Sequence, residues 1–247
     1  MSVLVLALIA GAVVGLALGS LGGGGGVLAV PALIYLLGFS PAAATTASLI
    51  IVAVTSLVSL FAHARDGHVR WRAGLLFAAA GVGPALLGGI AAGRLPGSAL
   101  TVAFSVVAAL AAWRMLSPHR PAQDRPVRPA RAAGAGAGLG AVTGVLGVGG
   151  GFLAVPALTG VVGLRMKAAV GTGLLVVVSN SVAALATRTG TADGLDWAVI
   201  APFAGAAILG AWDGQRLAAK VSDDRLRRVF ALVLLAVAAF MLLDSLI

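Results

Sequence analysis

GLALGSLGGGGGVLAVPAL, residues 15–33, and GAVTGVLGVGGGFLAVPAL, residues 140–158, are one pattern written twice. Without a gap, Gly15, Gly19, Gly22, Gly24, Gly25 and Gly26 fall on Gly140, Gly144, Gly147, Gly149, Gly150 and Gly151. Leu28-Ala29-Val30-Pro31-Ala32-Leu33 falls on Leu153-Ala154-Val155-Pro156-Ala157-Leu158. Low complexity can mimic scattered glycine matches but not a shared LAVPAL in register. The correspondence continues outward: Ser56 meets Ser181, Trp71 meets Trp197 after a one-residue shift, and Gly89-xxx-Gly93 recurs as Gly210-xxx-Gly214.

The medium in which this duplication folds follows from composition. Of 247 residues, 60% are apolar and only 10% charged, against about 25% charged in soluble domains. Uncharged stretches run through 73–93, 95–113, 132–164, 168–187, 197–212 and 229–243, and before Arg65 the one side chain that can take up charge near neutral pH is His63. A helical crossing needs roughly 17–25 apolar residues. The chain is therefore expected to be an all-α polytopic membrane protein. The net charge of +9 fits basic cytoplasmic loops rather than a nucleic-acid partner. There is no cysteine, so disulfides and thiolate metal sites are excluded.

Each half parses into five segments, about 3–20, 27–37, 42–62, 72–93 and 97–116, then 134–147, 152–163, 168–187, 196–215 and 226–246. The opening pair of each half is expected to be a short re-entrant or discontinuous helical hairpin. The organisation is then a first membrane repeat at 1–116, a Pro/Arg-rich cytoplasmic linker at 117–133, and a second repeat at 134–247. Five segments per half invert the second relative to the first. With residues 63–72 cytoplasmic, that arrangement puts all but Arg94 and Arg188 of the 17 Lys and Arg on the cytoplasmic side. Parallel halves would divide them almost evenly, so the positive-inside rule favours inverted repeats with both termini outside. Trp71, Trp113, Trp197 and Trp212 each stand beside a charge at a segment end, as interfacial anchors do.

The twin glycine turns running into LAVPAL, the Thr/Ser-bearing third segment, and the approaches Gly67–Trp71 and Gly194–Trp197 carry a family likeness. The sequence resembles the sulfite exporter TauE/SafE family of membrane transporters over about residues 8–245. The resemblance implies carriage of small sulfur-containing or other organic anions across the bacterial inner membrane. It names a class of cargo and not one anion.

Which residues bind follows from the residues themselves. GSLGGGGG and GVLGVGGG lack the Lys-Ser/Thr of a phosphate-binding loop. Gly11, Gly15, Gly19, Gly140 and Gly144 read as close helix-packing positions. The dense runs Gly22–Gly26 and Gly147–Gly151 differ, because adjacent glycines leave the backbone free to unwind and expose its N–H groups. Each run precedes a short helix beginning near Val27 or Phe152. Exposed amides with the positive end of a helix form an anion site without a cationic side chain. Gly24, Gly25, Gly26, Gly149, Gly150 and Gly151 are therefore candidate substrate ligands, with two helix ends expected to meet near the midplane. Pro31 and Pro156, a turn further on, either kink these helices or free a carbonyl for the site.

On the third segment Thr45, Ser48, Thr55, Ser56 and Ser59 fall within an arc of about 100°. The eighth shows Gly173, Asn180 and Ser181. Ser56, Asn180 and Ser181 complete the candidate set, while Thr45, Thr46, Ser48 and Thr172 are left open. His63 reads as a loop residue, and Asp213 as an interfacial partner of Arg216.

The expected function is secondary transport of a small anion, sulfite, sulfonate or related, by alternating access, with an exporter the favoured direction. A passive anion channel and a non-transporting membrane scaffold are the alternatives. No catalytic motif, metal-ligand set or cofactor motif is present, so the chain reads as a non-enzyme without cofactor. Its partners are the small anion and the lipid bilayer, and oligomeric state is left open. No carboxylate lies in the membrane stretches between Arg72 and Arg188. The potential alone could then drive anion export, while proton coupling would point to Asp213 or His63.

Overall fold

A computed structural model describes residues 2–22, 26–92, 97–117, 128–146, 151–186 and 195–244 of the chain. These residues are helical almost throughout, as the uncharged stretches require. Helix α1 spans Ser2–Leu21, α2 Gly26–Pro31, α3 Pro41–Arg65, α4 Trp71–Ala92 and α5 Gly97–Leu116. The second half repeats the order with α6 Pro129–Leu146, α7 Gly151–Ala157, α8 Met166–Ala186, α9 Trp197–Lys220 and α10 Asp223–Asp244. Among the described residues, Val3–Leu21, Ala43–Arg65, Met166–Leu185 and Trp197–Lys220 are long and apolar enough to cross a bilayer. Leu87 and Leu209 are 70% and 71% exposed, and Leu57, Phe61 and Leu232 stand out likewise. Large apolar side chains turned outward in such number are what lipid, not water, stabilises. The fold is that of an all-α polytopic membrane protein.

Two sequence expectations change. The opening helices are not short: α1 has 20 residues and α6 has 18, about 30 and 27 Å at 1.5 Å per residue. Their glycines do not break them. A methyl group placed on Gly11, Gly15 or Gly19 would strike the backbone of Phe203, Ala207 or Ala211, so these glycines seat α1 directly on α9. Gly136 and Gly140 seat α6 on the backbone of Phe77 and Gly81 of α4 in the same way. Second, α6 begins at Pro129, inside the stretch assigned to the linker. Proline is suited to a first helical turn, where its missing N–H has no partner to lose. The amides of Arg131 and Ala132 close that turn on the Arg128 carbonyl.

The short members are α2 and α7. Pro31 and Pro156 lie near their ends, and each helix widens there into a π-helical turn, Ala32–Leu36 and Leu158–Val162. A proline removes one i to i−4 bond, and the wider turn absorbs the defect. Both then stop alike. Gly38 and Gly163 take left-handed φ values of +71° and +81°, and the N–H groups of Phe39 and Leu164 donate to the Leu33 and Leu158 carbonyls, each at 3.0 Å. Each of these bonds spans one residue more than the Schellman closure, as a preceding π-helical turn requires, and glycine is favoured at the left-handed position in the same way. It is a match between the halves that the sequence comparison did not reach.

Helix directions follow from the contacts. The ascending pairs Gly11–Phe203, Gly15–Ala207 and Gly19–Ala211 make α1 parallel to α9. Gly136–Phe77 and Gly140–Gly81 make α6 parallel to α4. Helices α3 and α8 run antiparallel: His63 touches Gly171, Leu60 clusters with Leu174 and Leu175, and Ile51 and Val52 cluster with Val177. The step that carries Trp71 onto Trp197 carries Phe77 onto Phe203 and Gly81 onto Ala207. Gly214 thus corresponds to Gly88, and the Gly89-xxx-Gly93 match lies out of that register.

Candidate functional site

Helices α3 and α8 form the centre of the molecule, and the polar arc of α3 is turned into it. Val54 and Leu57 on the opposite side are exposed. Thr55 and Ser56 are 0% exposed and Ser59 is 2% exposed, yet none of their three hydroxyl oxygens has a hydrogen-bond partner. Elsewhere the helices show the usual alternative, in which a hydroxyl donates to a carbonyl of its own preceding turn. Ser20 does so to Leu16 at 2.6 Å, Ser48 to Thr45 at 2.9 Å, Thr143 to Gly140 at 3.2 Å and Ser179 to Leu175 at 2.9 Å. A buried hydroxyl left unpaired costs roughly 1–3 kcal/mol. Three on one face of one helix mark a place where polar donors wait for an acceptor.

The antiparallel register brings the second half's residues to the same height. Counting eight residues along both antiparallel helices from the His63–Gly171 contact pairs Thr55 with Ser179, one and two positions before Asn180 and Ser181. Ser181 is buried and Asn180 half-buried. By the repeat, Thr55 corresponds to Asn180 and Ser56 to Ser181. The polar residues on α3 and α8 thus occupy equivalent positions of the two sequence repeats. Ser59 and His63 have no such match, since their counterparts are Ala184 and Arg188, the latter outside the described residues.

The glycine ligands stand differently. Gly26 and Gly151 are the first residues of α2 and α7, while Gly24, Gly25, Gly149 and Gly150 lie outside the described residues. The start of the first run is visible. Gly22 leaves α1 with φ +68°, and a Cβ there would come within 3.0 Å of the Val170 carbonyl oxygen. Only glycine combines that backbone angle with so close an approach. Val170 is in the second turn of α8.

Of the hydroxyls left open, Thr172 has a structural task. It is fully buried, and its oxygen accepts the Arg70 N–H at 3.0 Å, holding the α3–α4 loop on α8. Gln215 of α9 donates to Asp66 of the same loop at 3.4 Å. His63 corrects the sequence reading. It is not a solvated loop residue but part of α3, 5% exposed, with Nδ1 at 3.0 Å from the Ser59 carbonyl. A Cβ at Gly171 would crowd first the His68 carbonyl and then the His63 Cβ, so glycine there lets the α8 backbone lie against both. Asp213 does pair with Arg216, at 3.9 Å on an exposed surface, and that guanidinium lies over the Trp212 ring at 5.6 Å.

Comparison with known proteins agrees with this architecture. The family model described as Sulfite exporter TauE/SafE matches residues 7–241. A probable membrane transporter protein of Xylella fastidiosa strain 9a5c is 35% identical over 253 aligned positions, covering 98% of this chain and 96% of the relative. Its counterpart in Xylella fastidiosa strain Temecula1 matches at the same identity and coverage.

Proposed function

The chain belongs to the sulfite exporter TauE/SafE family and is a multi-pass membrane transporter, and from that premise we propose that it exports a small oxyanion of the sulfite, sulfonate or related organosulfur class from a bacterial cell. The observation that carries this reading is the set of unpartnered, buried hydroxyls of Thr55, Ser56 and Ser59 at the α3–α8 crossing. Hydroxyls are neutral donors. They solvate an oxyanion without the fixed charge that would hold it too tightly for release. Asn180 and Ser181 supply the matching donors from the second half, and the amides of Gly24–Gly26 and Gly149–Gly151 complete the binding groups.

Alternating access belongs to the same proposal. Equivalent helices α3 and α8 run antiparallel, which supports halves inverted in the bacterial inner membrane and a central site reached from either side in turn. Reconstitution into liposomes tests the whole reading. Labelled sulfite, thiosulfate or methanesulfonate should show saturable uptake and counterflow against trapped unlabelled anion. Flux without counterflow would make the protein a channel, and no flux of any of the three would remove the substrate assignment.

A further inference from the structure

We propose that His63 is the proton site of the transport cycle, binding a proton from solution as the anion binds and travelling through the cycle with it. The inference rests on the anion-transport reading above and adds the ion that accompanies the cargo. Among the described residues His63 is the only buried side chain able to titrate within the physiological range. It lies one helical turn from Ser59, at the end of the row of unpartnered hydroxyls. Asp213, the other candidate from sequence, is exposed and already paired with Arg216.

The hydrogen bond on one side of the ring defines the chemistry of the other. A carbonyl oxygen only accepts, so the contact with Ser59 puts a hydrogen on Nδ1 and leaves Nε2 bare in the neutral ring. A proton arriving at Nε2 makes an imidazolium, and both nitrogens then donate. A charge formed in so buried a place is costly unless an opposite charge comes with it. The surroundings offer little. His68 faces it with ring centroids 6.3 Å apart and offers no negative charge. Asp66, the nearest carboxylate, lies at the exposed end of α3, where solvent screens its charge, and accepts from Gln215 of α9. Arg65, Arg70 and Arg72 are exposed, and Arg65 lies over the Phe61 ring. From α8 the contact is the Gly171 backbone, and that element's nearest cation, Lys167, donates to the Ala219 carbonyl.

The missing counter-charge is the cargo. An anion on Ser59, Ser56 and Thr55 would neutralise the imidazolium, so proton and anion bind cooperatively and leave together. For a monoanion the loaded carrier gains no net charge, so the anion and pH gradients, not the potential, set direction. Export across an inside-alkaline membrane then requires an outward anion gradient larger than the opposing pH gradient. The asymmetry of the repeat agrees with a single proton site: the hydroxyl row continues toward His63, while in the second half Ala184 interrupts the equivalent row.

The test uses the purified chain in liposomes with the potential clamped at zero, and sulfite, thiosulfate and methanesulfonate as probes. The latter two do not titrate near neutral pH. Wild type should accumulate a transported probe about tenfold per pH unit for each proton moved, and a luminal pH dye should register the proton. His63→Gln keeps a donor for the Ser59 carbonyl but cannot titrate. It should lose the pH-driven accumulation while still passing the probe down its own gradient, and His63→Asn provides a second non-titrating side chain should the first not insert. His68→Gln should keep the response. Wild-type flux indifferent to the pH gradient, or pH-driven accumulation surviving in His63→Gln, overturns the proton site and leaves the transporter standing. Absence of flux for every probe instead removes the anion-transport reading, and this inference with it.

Discussion

Replacing Thr55 by Val removes a hydroxyl that has no partner in the structure and keeps the volume of the side chain. A purely structural threonine would not gain from that change, but an unpaired buried one does, by up to about 1 kcal/mol. Thr55→Val should therefore melt at the same or a higher temperature in detergent while anion flux falls about tenfold, the loss of one hydrogen bond to a charged group. Ser56→Ala should behave alike. Thr172→Val should do the opposite, because its oxygen accepts the Arg70 N–H. Leaving that amide unpaired costs about 1–3 kcal/mol, so stability should drop and transport by the folded fraction should not. A Thr55 variant that loses stability with flux intact would return the hydroxyl row to a packing role. The arc from Thr45 to Ser59 was readable from spacing alone. Which hydroxyls in it are unpartnered was not, because the return of the Ser48 hydroxyl to the Thr45 carbonyl depends on rotamers that spacing does not fix. His63 was misread for a longer-range reason: the α8 backbone that lies against it, at Gly171, is more than a hundred positions away.

At the level of helices, one-letter code writes identically the glycines that pack α1 and α6 and the dense runs proposed as ligands. Gly15 and Gly140 bring α1 onto α9 and α6 onto α4, where any Cβ would strike the neighbouring backbone. Gly140→Val forces those helices apart and should destabilise the protein by several kcal/mol, above the usual 1–3 kcal/mol of overpacking, since backbone cannot give way as a side chain does. The check is loss of the folded peak by size-exclusion chromatography and a lowered melting point. Gly25→Val and Gly150→Val should instead leave insertion and folding intact while abolishing anion binding, read by thermal shift with sulfite. If both still bind, the runs are not ligands and the hydroxyl row alone makes the site. Sequence spacing already set Gly11, Gly15, Gly19 and Gly140 apart as packing positions, and each of them meets neighbouring backbone. What it did not give was the length of the opening helices, since α1 and α6 have 20 and 18 residues. The closures at Gly38 and Gly163 were legible in principle, as glycines at matching distances after Leu33 and Leu158.

For the whole molecule the question is which way each half faces. Five helices per half, an odd number of turns back and forth, and the short α2 and α7 leave parity open unless the short helices are counted correctly. The contacts give an independent argument. Helices α3 and α8 are counterparts in the repeat and run antiparallel, while α1 follows α9 and α6 follows α4. If helices with these lengths cross the bilayer, counterparts running in opposite senses place the twofold axis in the membrane plane. The basic residues favour the same solution, since it gathers Arg65, Arg70 and Arg72 with Arg165, Lys167, Arg216 and Lys220 on one face. A reporter inserted in the 117–131 segment should accordingly show alkaline phosphatase silent and green fluorescence bright, the cytoplasmic pattern. The same pair of reporters fused after Ile247 should give the reverse. A cytoplasmic signal at both positions would make the halves parallel in the membrane. The α3–α8 crossing could then no longer present equivalent faces to the two sides, and the alternating-access reading built on Thr55, Ser56, Asn180 and Ser181 would fall with it.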